Sequence, residues 1–480
     1  MNHATRFPFS RALAGLALCG VAAAPSAADE VLDWNQFASE MIISNVTVQN
    51  PGMATRALAM MNLAIYDSIA TTGGTQSFYT YDPSVTHLAG SASGQAAAIQ
   101  AAYTVLSAAY SDQQSSLDSY LATSLAALGS SAQVTDGVAL GTQIGQAIIN
   151  ERANDGFDAM TQYTPTNAVG HWQPDPVNPG QEAWGPGWGS VQTFALHSPG
   201  SFSPGASPAI NTQAYADAYN EVMMLGGVDS TARTAEQTEI GLFWAYDRLG
   251  MGTPMVLYND IMRTVAVQQG NTLEQNAQMF ALATVAMADA GVVAWDSKFE
   301  YDLWRPVTGI RQGDHDGNDN TVGDEDWTPL GAPDGQDLVG FTPPFPTYLS
   351  GHATFGGALF ATLIEFYGTD DITFTVSSEE LQYLIDNPDL MAAYGLDLED
   401  TERTFNSFSE AMAENGRSRV YLGIHWNFDD TMGQATGSQI ATYIAGGGAF
   451  IASASLAPEP GAAALLACAG VGVCRRRRRA

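Results

Sequence analysis

Cysteine, lysine and strand-forming runs are what this 480-residue chain is short of. Its three cysteines, Cys19, Cys468 and Cys474, all lie near the ends. From Asp29 to Ala457 there is none, which excludes a disulfide, a thiolate nucleophile and a cysteine metal site over that span. Lysine occurs once, as Lys298. Between Asp29 and Ala457, 11 basic residues stand against 49 acids. That imbalance argues against nucleic acid and anionic membrane surfaces as partners. With 45% hydrophobic residues the chain is not of disordered composition. Its length allows one large core or two medium ones.

Both ends carry targeting signals. Residues 1–28 read as a secretory signal: Arg6 and Arg11 are basic, Ala12–Ala24 is apolar, and Ser26-Ala27-Ala28 offers small residues for cleavage before Asp29. Residues 456–480 contain Pro458-Glu459-Pro460, then Gly461–Cys474, all apolar or small, then Arg475–Arg479. The apolar run is short of the roughly 20 residues that span a bilayer. The arrangement resembles the PEP-CTERM sorting tail of exported proteins of Gram-negative envelopes. That resemblance implies recognition and removal by a membrane sorting protease. The expected location is the cell envelope or beyond it.

Between the ends, apolar residues recur mostly at helical spacing, and the expected fold class is all-α. Helices are expected at Met53–Thr71, twice within Ser93–Leu128 with a break near Ser111–Gln113, and at Val134–Asp155. From Phe157 to Pro208, clustered Pro, Gly, Trp and Asn predict a long irregular connection. Helices are then expected at Thr212–Leu225, Thr234–Leu249, Tyr258–Gln269, Leu273–Leu303, Ser378–Asn387, Asp397–Glu414 and from His425 to Ala445. Ile372–Val376 is the strand candidate. The expected organisation is a helical half over 29–230, containing the irregular connection, and a helical bundle over 231–455 that carries the active site. The loop Asp314–Asp326 is acidic but lacks the glycine of an Asp-rich calcium loop, and reads as a solvated loop.

Three separated stretches carry the chemistry. In Pro343–Phe360, prolines stiffen an arm that runs into a helix with Ser350 as N-cap. Ser350, Gly351 and His352 then lie at a helix start, where unpaired N–H groups favour an anion and a histidine can move a proton. In Lys298–Pro306, Lys298 and Arg305 are seven apart and expected on one helix face, with Arg305 at the helix end before Pro306. In Arg417–Gly433, His425 and Asp429 are four apart, so the carboxylate is expected to orient the imidazole. Arg419 joins them only if the helix breaks near Gly423. Three cations, neutral donors and two imidazoles suit a tetrahedral oxyanion such as phosphate or vanadate.

KFEYDLWRP, PTYLSGHA and SRVYLGIHWNFD, in this order, resemble the three-part signature of the vanadium-dependent haloperoxidases, which type 2 phosphatidic acid phosphatases share. PPFPTYLSGHATFGGALF and FWAYD are similar to the chloroperoxidase branch. The resemblance implies vanadate as cofactor, with His425 as the axial ligand of the metal. Lys298, Arg305, Ser350, Gly351 and Arg419 would hydrogen-bond its oxygens. His352 would be the acid–base residue, Asp429 would support His425, and Asp247 would pair with the arginine cluster. Phe345 stands where chloroperoxidases carry Phe and bromoperoxidases His. Two features depart from the pattern: Leu349, where the family usually has Pro, and the 65 residues separating His352 from Ser418. The implied activity is oxidation of halide by hydrogen peroxide to hypohalous acid, which modifies a small organic acceptor. Lys298 would draw electron density from the bound peroxide. One alternative is an acid phosphatase working through a phosphohistidine at His425. The other is an envelope protein that keeps the bundle without catalysis.

Overall fold

The computed structural model describes residues 29–45, 50–248, 250–333 and 340–448. The expectations for 1–28 and 456–480 fall outside the described residues. The fold is all-α. The helices, in order, are α1 (Glu30–Ser44), α2 (Pro51–Gly73), α3 (Pro83–Thr86), α4 (Gly94–Ala109), α5 (Gln114–Leu128), α6 (Ala132–Glu151), α7 (Gln213–Leu225), α8 (Ala235–Phe243), α9 (Met255–Gln269), α10 (Leu273–Tyr301), α11 (Pro306–Arg311), α12 (Gly351–Tyr367), α13 (Glu379–Asp386), α14 (Pro388–Ala393), α15 (Phe408–Tyr421) and α16 (Asn427–Tyr443). A short antiparallel pair, β1 (Phe374–Ser377) and β2 (Glu402–Phe405), aligns Phe374 with Phe405 and Ser377 with Glu402.

Local sequence explains most of the boundaries. Asp29, Asn50, Ser93, Ser131, Thr212, Ser350 and Ser407 each accept a backbone N–H at a helix start. Each such cap contributes about 1 kcal/mol. Thr234 with Gln237, and Thr272 with Gln275, form complete capping boxes. Gly74, Gly270 and Gly368 end α2, α9 and α12 in the left-handed region.

One apolar core runs from Val31 to Ile444 and draws on both expected halves. At its centre lies α10. This helix is long and apolar enough to cross a bilayer, but 94% of that stretch is buried by its neighbours, chiefly α2 and α12. A smaller cluster of Tyr215, Tyr219, Trp304, Trp426 and Phe428 backs the site.

Two site-bearing helices, α12 and α16, meet backbone to backbone through glycine. A Cβ placed on Gly437 would sit 2.1 Å from the Thr354 carbonyl oxygen, and one on Gly357 would sit 2.4 Å from that of Gln434. Only glycine lets the backbones meet in this way. The contact sets the start of α12 beside the start of α16, where Ser350 N–H donates to the Asp429 carbonyl at 3.1 Å.

Four expected elements are corrected. The helix carrying Lys298 stops at Tyr301, because Asp302 turns left-handed (φ 51°). Arg305 is therefore not on a shared helical face with Lys298. It is the N-cap position of α11, with Pro306 as first residue, which has no N–H to lose. The helix after Thr234 ends at Phe243, so Asp247 lies on irregular backbone. Residues 402–405 form a strand, and the helix expected over 397–414 instead covers Phe408–Tyr421. His425 precedes its helix, which starts at Asn427. The break at Gly423 is present, with φ 74°. In the acidic loop, Asp314 accepts Gly323 N–H and Asp316 accepts Asn318 N–H and the Thr321 hydroxyl.

Candidate active site

The proline arm is fastened first. Lys298 Nζ donates to the carbonyls of Pro346 (3.1 Å), Thr347 (3.0 Å) and Leu349. Arg305 Nε donates to Phe345 O at 2.8 Å. Two cations from different elements thus tie down consecutive carbonyls of one arm. The Tyr348–Leu349 peptide within it is cis. The Phe345 ring lies 4.9 Å from Lys298 Nζ and 4.9 Å from the Arg305 guanidinium carbon, in cation–π range of both.

Thr347 joins this arm to His425. Its hydroxyl lies 3.1 Å from His425 Nδ1 and donates to Asp429. Asp429 Oδ2 is 2.9 Å from His425 Nδ1 and accepts Trp426 N–H at 3.0 Å. A carboxylate can only accept, so Nδ1 carries the proton and Nε2 the lone pair. Arg305 Nη1 donates to that Nε2 at 3.0 Å and to Ile424 O at 2.8 Å. Burial, then Arg305, Lys298 and Arg419, push the imidazole well below its ordinary pKa, so the ring stays neutral. Burial raises the Asp429 carboxyl, and the Thr347 hydroxyl and Lys298 oppose the rise.

His352 has the complementary tautomer. Its Nε2 faces the carbonyls of Trp244 (3.1 Å) and Ala245 (2.9 Å), so Nε2 carries the hydrogen and Nδ1 is the basic nitrogen. Burial first, then Arg419, hold this ring well below the usual histidine range. Arg419 Nη2 pairs with Asp247 Oδ2 at 2.7 Å. Burial raises the Asp247 carboxyl, and Arg419 counters it.

These groups surround a cavity of about 230 Å³. Gly351, His352, Arg419, His425, Asp247 and Phe345 line it, with Trp184, Trp295 and Tyr246. Lys298, Arg305 and Ser350 are fully buried behind that lining. Gly351 and His352 are the first two residues of α12, whose N–H groups have no acceptor within the helix. All ten residues singled out in the sequence therefore gather at one place.

The site is short of negative charge. Among the described residues, Lys298 and Arg305 form no ion pair with a carboxylate, although both are buried. Arg305 Nη2 and Arg419 Nε and Nη1 are buried with no hydrogen-bond partner. Unpaired buried charge costs several kcal/mol per ion. Orphaned guanidinium donors beside a helix N-terminus fit a tetrahedral oxyanion with several acceptor oxygens.

Residues 278–447 match the second helical-bundle domain of VCPO. That part of the chain is similar to a vanadium haloperoxidase domain. The chain is 40% identical over 258 residues to vanadium chloroperoxidase of Curvularia inaequalis. The match covers 46% of this chain and 41% of that relative, so the chain spans less than half the length of the curated relative it matches. Two solved structures share the fold. The first bacterial vanadium-dependent iodoperoxidase structure superposes with a TM-score of 0.68 at 24% identity, covering 87% of this chain and 96% of its own. A holo-type bacterial vanadium-dependent chloroperoxidase gives 0.62 at 16% identity, covering 85% and 94%. The matched bundle thus holds the three signature stretches, and the N-terminal half completes the shared overall fold around it.

Sequence reasoning missed five contributors. Trp295 precedes Lys298 by three residues, one helical turn, and that spacing was a usable signal. Its ring lies 5.0 Å from Phe345 and 5.2 Å from Trp184. Trp184 comes from the irregular connection, where its N–H donates to Pro344 O at 2.8 Å, and nothing local announces it. Thr347 is an ordinary-looking threonine. The Trp244 and Ala245 carbonyls are backbone, on which residue identity is silent.

Proposed function

We propose that this chain holds vanadate and uses it to oxidise halide with hydrogen peroxide to hypohalous acid, which passes to a small organic acceptor. The observation that carries the reading is the incomplete cage. Among the described residues, buried Lys298 and Arg305 form no ion pair with a carboxylate, Arg419 pairs with Asp247 but keeps two unpartnered nitrogens, and a neutral His425 nitrogen converges with them. Bound vanadate supplies a Lewis-acidic centre that activates peroxide without changing its own oxidation state.

The side chains divide the remaining work. His425 offers the Nε2 lone pair as metal ligand, with Asp429 and Thr347 fixing the opposite nitrogen. Arg305, Arg419 and the start of α12 hold the oxyanion, and Lys298 and Ser350 support them from behind the cavity wall. His352, tied at Nε2, takes the proton of incoming hydrogen peroxide at Nδ1. Asp247 keeps Arg419 aimed. Phe345, Trp184 and Trp295 build an aromatic wall with cations behind it, an environment suited to a large, weakly hydrated halide. Bromide and iodide are the proposed substrates, being easier to oxidise than chloride.

Purified protein loaded with vanadate, given peroxide and bromide, brominates a phenol dye on this reading. Phosphate-ester turnover without bromination overturns it. We also propose export. Cleavage after Ala28 leaves Asp29, whose carboxylate accepts the N–H groups of Val31 and Leu32 at the start of α1. Intact-mass measurement of secreted protein checks this, and a retained residue 1–28 segment refutes it. Removal of 456–480 by a sorting protease is read from the same mass.

A further inference from the structure

The backbone strip that follows α8 has two sets of contacts, and they alternate along it. One set faces the site. The carbonyls of Trp244 and Ala245 accept from His352 Nε2, and Asp247 pairs with Arg419. The other set faces the start of α13. Ser378 Oγ donates to Phe243 O at 2.9 Å. The Tyr246 hydroxyl donates to the Glu379 carboxylate and accepts Glu379 N–H at 3.1 Å. Arg248 Nε lies 3.0 Å from Glu380 Oε2, and its guanidinium covers the Tyr383 ring at 3.9 Å.

Two further observations indicate that this strip is held under load. Tyr246 has φ 48°, a left-handed conformation that is strained for a bulky residue and persists only when the surroundings over-determine it. The Arg248–Glu380 pair is buried, with 5% and 1% exposure, so its formation carries a desolvation cost with little surplus for stability. Neither feature is explained by core packing alone. Both are explained if the strip must be placed accurately. The helix that places it, α13, lies in the long connection between α12 and α15, the stretch that lengthens the gap between His352 and Ser418.

We infer that Glu379 and Glu380 are positioning residues for the site. Through Tyr246 and Arg248 they hold the strip so that its carbonyls keep the hydrogen on His352 Nε2 and its Asp247 keeps Arg419 aimed into the cage. The kinetic part of this inference rests on the haloperoxidase reading. The structural part, the held Nε2–H of His352, does not.

The test uses the full chain, a Glu379→Ala/Glu380→Ala double variant and, as a milder second probe, Tyr246→Phe. Proton NMR of vanadate-free protein reports a slowly exchanging ring N–H, assigned to His352 by its loss in His352→Ala. Steady-state assays report kcat/KM for hydrogen peroxide and KM for bromide. The expected result is loss of the slow N–H signal in both variants. It comes with a fall of about tenfold or more in kcat/KM for peroxide, while the KM for bromide stays within about twofold. Retention of the signal in both variants overturns the inference, whatever happens to Tm. So does loss of the signal with peroxide kinetics unchanged. If the wild type oxidises no halide, the haloperoxidase reading fails alone, and the signal by itself decides whether the strip is held from α13.

Discussion

Two imidazoles share one cage, and their protons sit on opposite ring nitrogens. His425 carries its hydrogen on Nδ1 because Asp429 accepts there, and His352 carries its own on Nε2 because two carbonyls accept there. Each is left with one basic nitrogen, that of His425 accepting from Arg305, and burial, then neighbouring cations, keep both rings neutral. His352→Ala should therefore lower kcat/KM for peroxide by about 10²–10⁴-fold, the usual range for a lost general base. Stopped-flow measurement of peroxide consumption checks this. Unchanged activity would show that His352 is not the acid–base residue. The same neutrality makes a prediction for stability. In the unfolded chain a histidine gains its proton near pH 6.5, while folded His352, with its pKa depressed, does not. The unfolded state then binds the extra proton, so the contribution is present above pH 6.5 and is lost as pH falls below it. Relative to His352→Gln, the vanadate-free wild type should lose about 1.4 kcal/mol of unfolding free energy per pH unit below 6.5. Urea titrations at three pH values read the difference, and parallel curves would refute it.

At the scale of elements, the site depends on where helices begin rather than on their faces. Ser350–His352 open α12, His425–Asp429 lead into α16, and Arg305 precedes α11. This explains what was legible beforehand. Caps, prolines and glycines are local signals, so the turn at Ser350, the break at Gly423 and the pause at Ser111–Gln113 could all be read in advance. Asp302 turns left-handed at the helix end without being glycine, so the end of α10 could not. Helical spacing placed Lys298 and Arg305 on one face. In fact they meet because the chain doubles back over the proline arm, which is a tertiary fact. The α12–α16 crossing carries a prediction of its own. Gly437→Ala puts a methyl 2.1 Å from the Thr354 carbonyl, so the two helix starts must separate. The expected cost is about 1–3 kcal/mol of stability, with a loss of activity larger than that destabilisation explains, because Ser350 and Asp429 are joined across the contact. Denaturant melts beside specific activity at low temperature test it. Full activity in a destabilised variant would mean that the crossing does not set the site.

Across the whole molecule, the few cations are allotted with little to spare. Of the 11 basic residues between Asp29 and Ala457, Arg56, Arg152, Arg248, Arg263, Arg403 and Arg417 pair with carboxylates away from the cage, and Arg419 pairs with Asp247. Arg233 and Arg311 are half-buried and donate to backbone carbonyls. Lys298 and Arg305 are left, fully buried and, among the described residues, without a carboxylate ion pair, in a chain that carries 49 acids over the same span. With acids so plentiful, the lack of a direct ion pair at these two cations fits a place kept for an anion from solution. The folded state then gains free energy from that anion in proportion to the logarithm of its concentration, because an unfolded chain has no cage. At a hundredfold excess over Kd, vanadate should add about 2.7 kcal/mol of unfolding free energy. Phosphate, with the same tetrahedral charge, should compete for the gain. Thermal melts across a vanadate series, repeated with phosphate present, measure both effects. A Tm that ignores millimolar vanadate would show that the unpaired cations are balanced in some other way, and the oxyanion reading would fall with it.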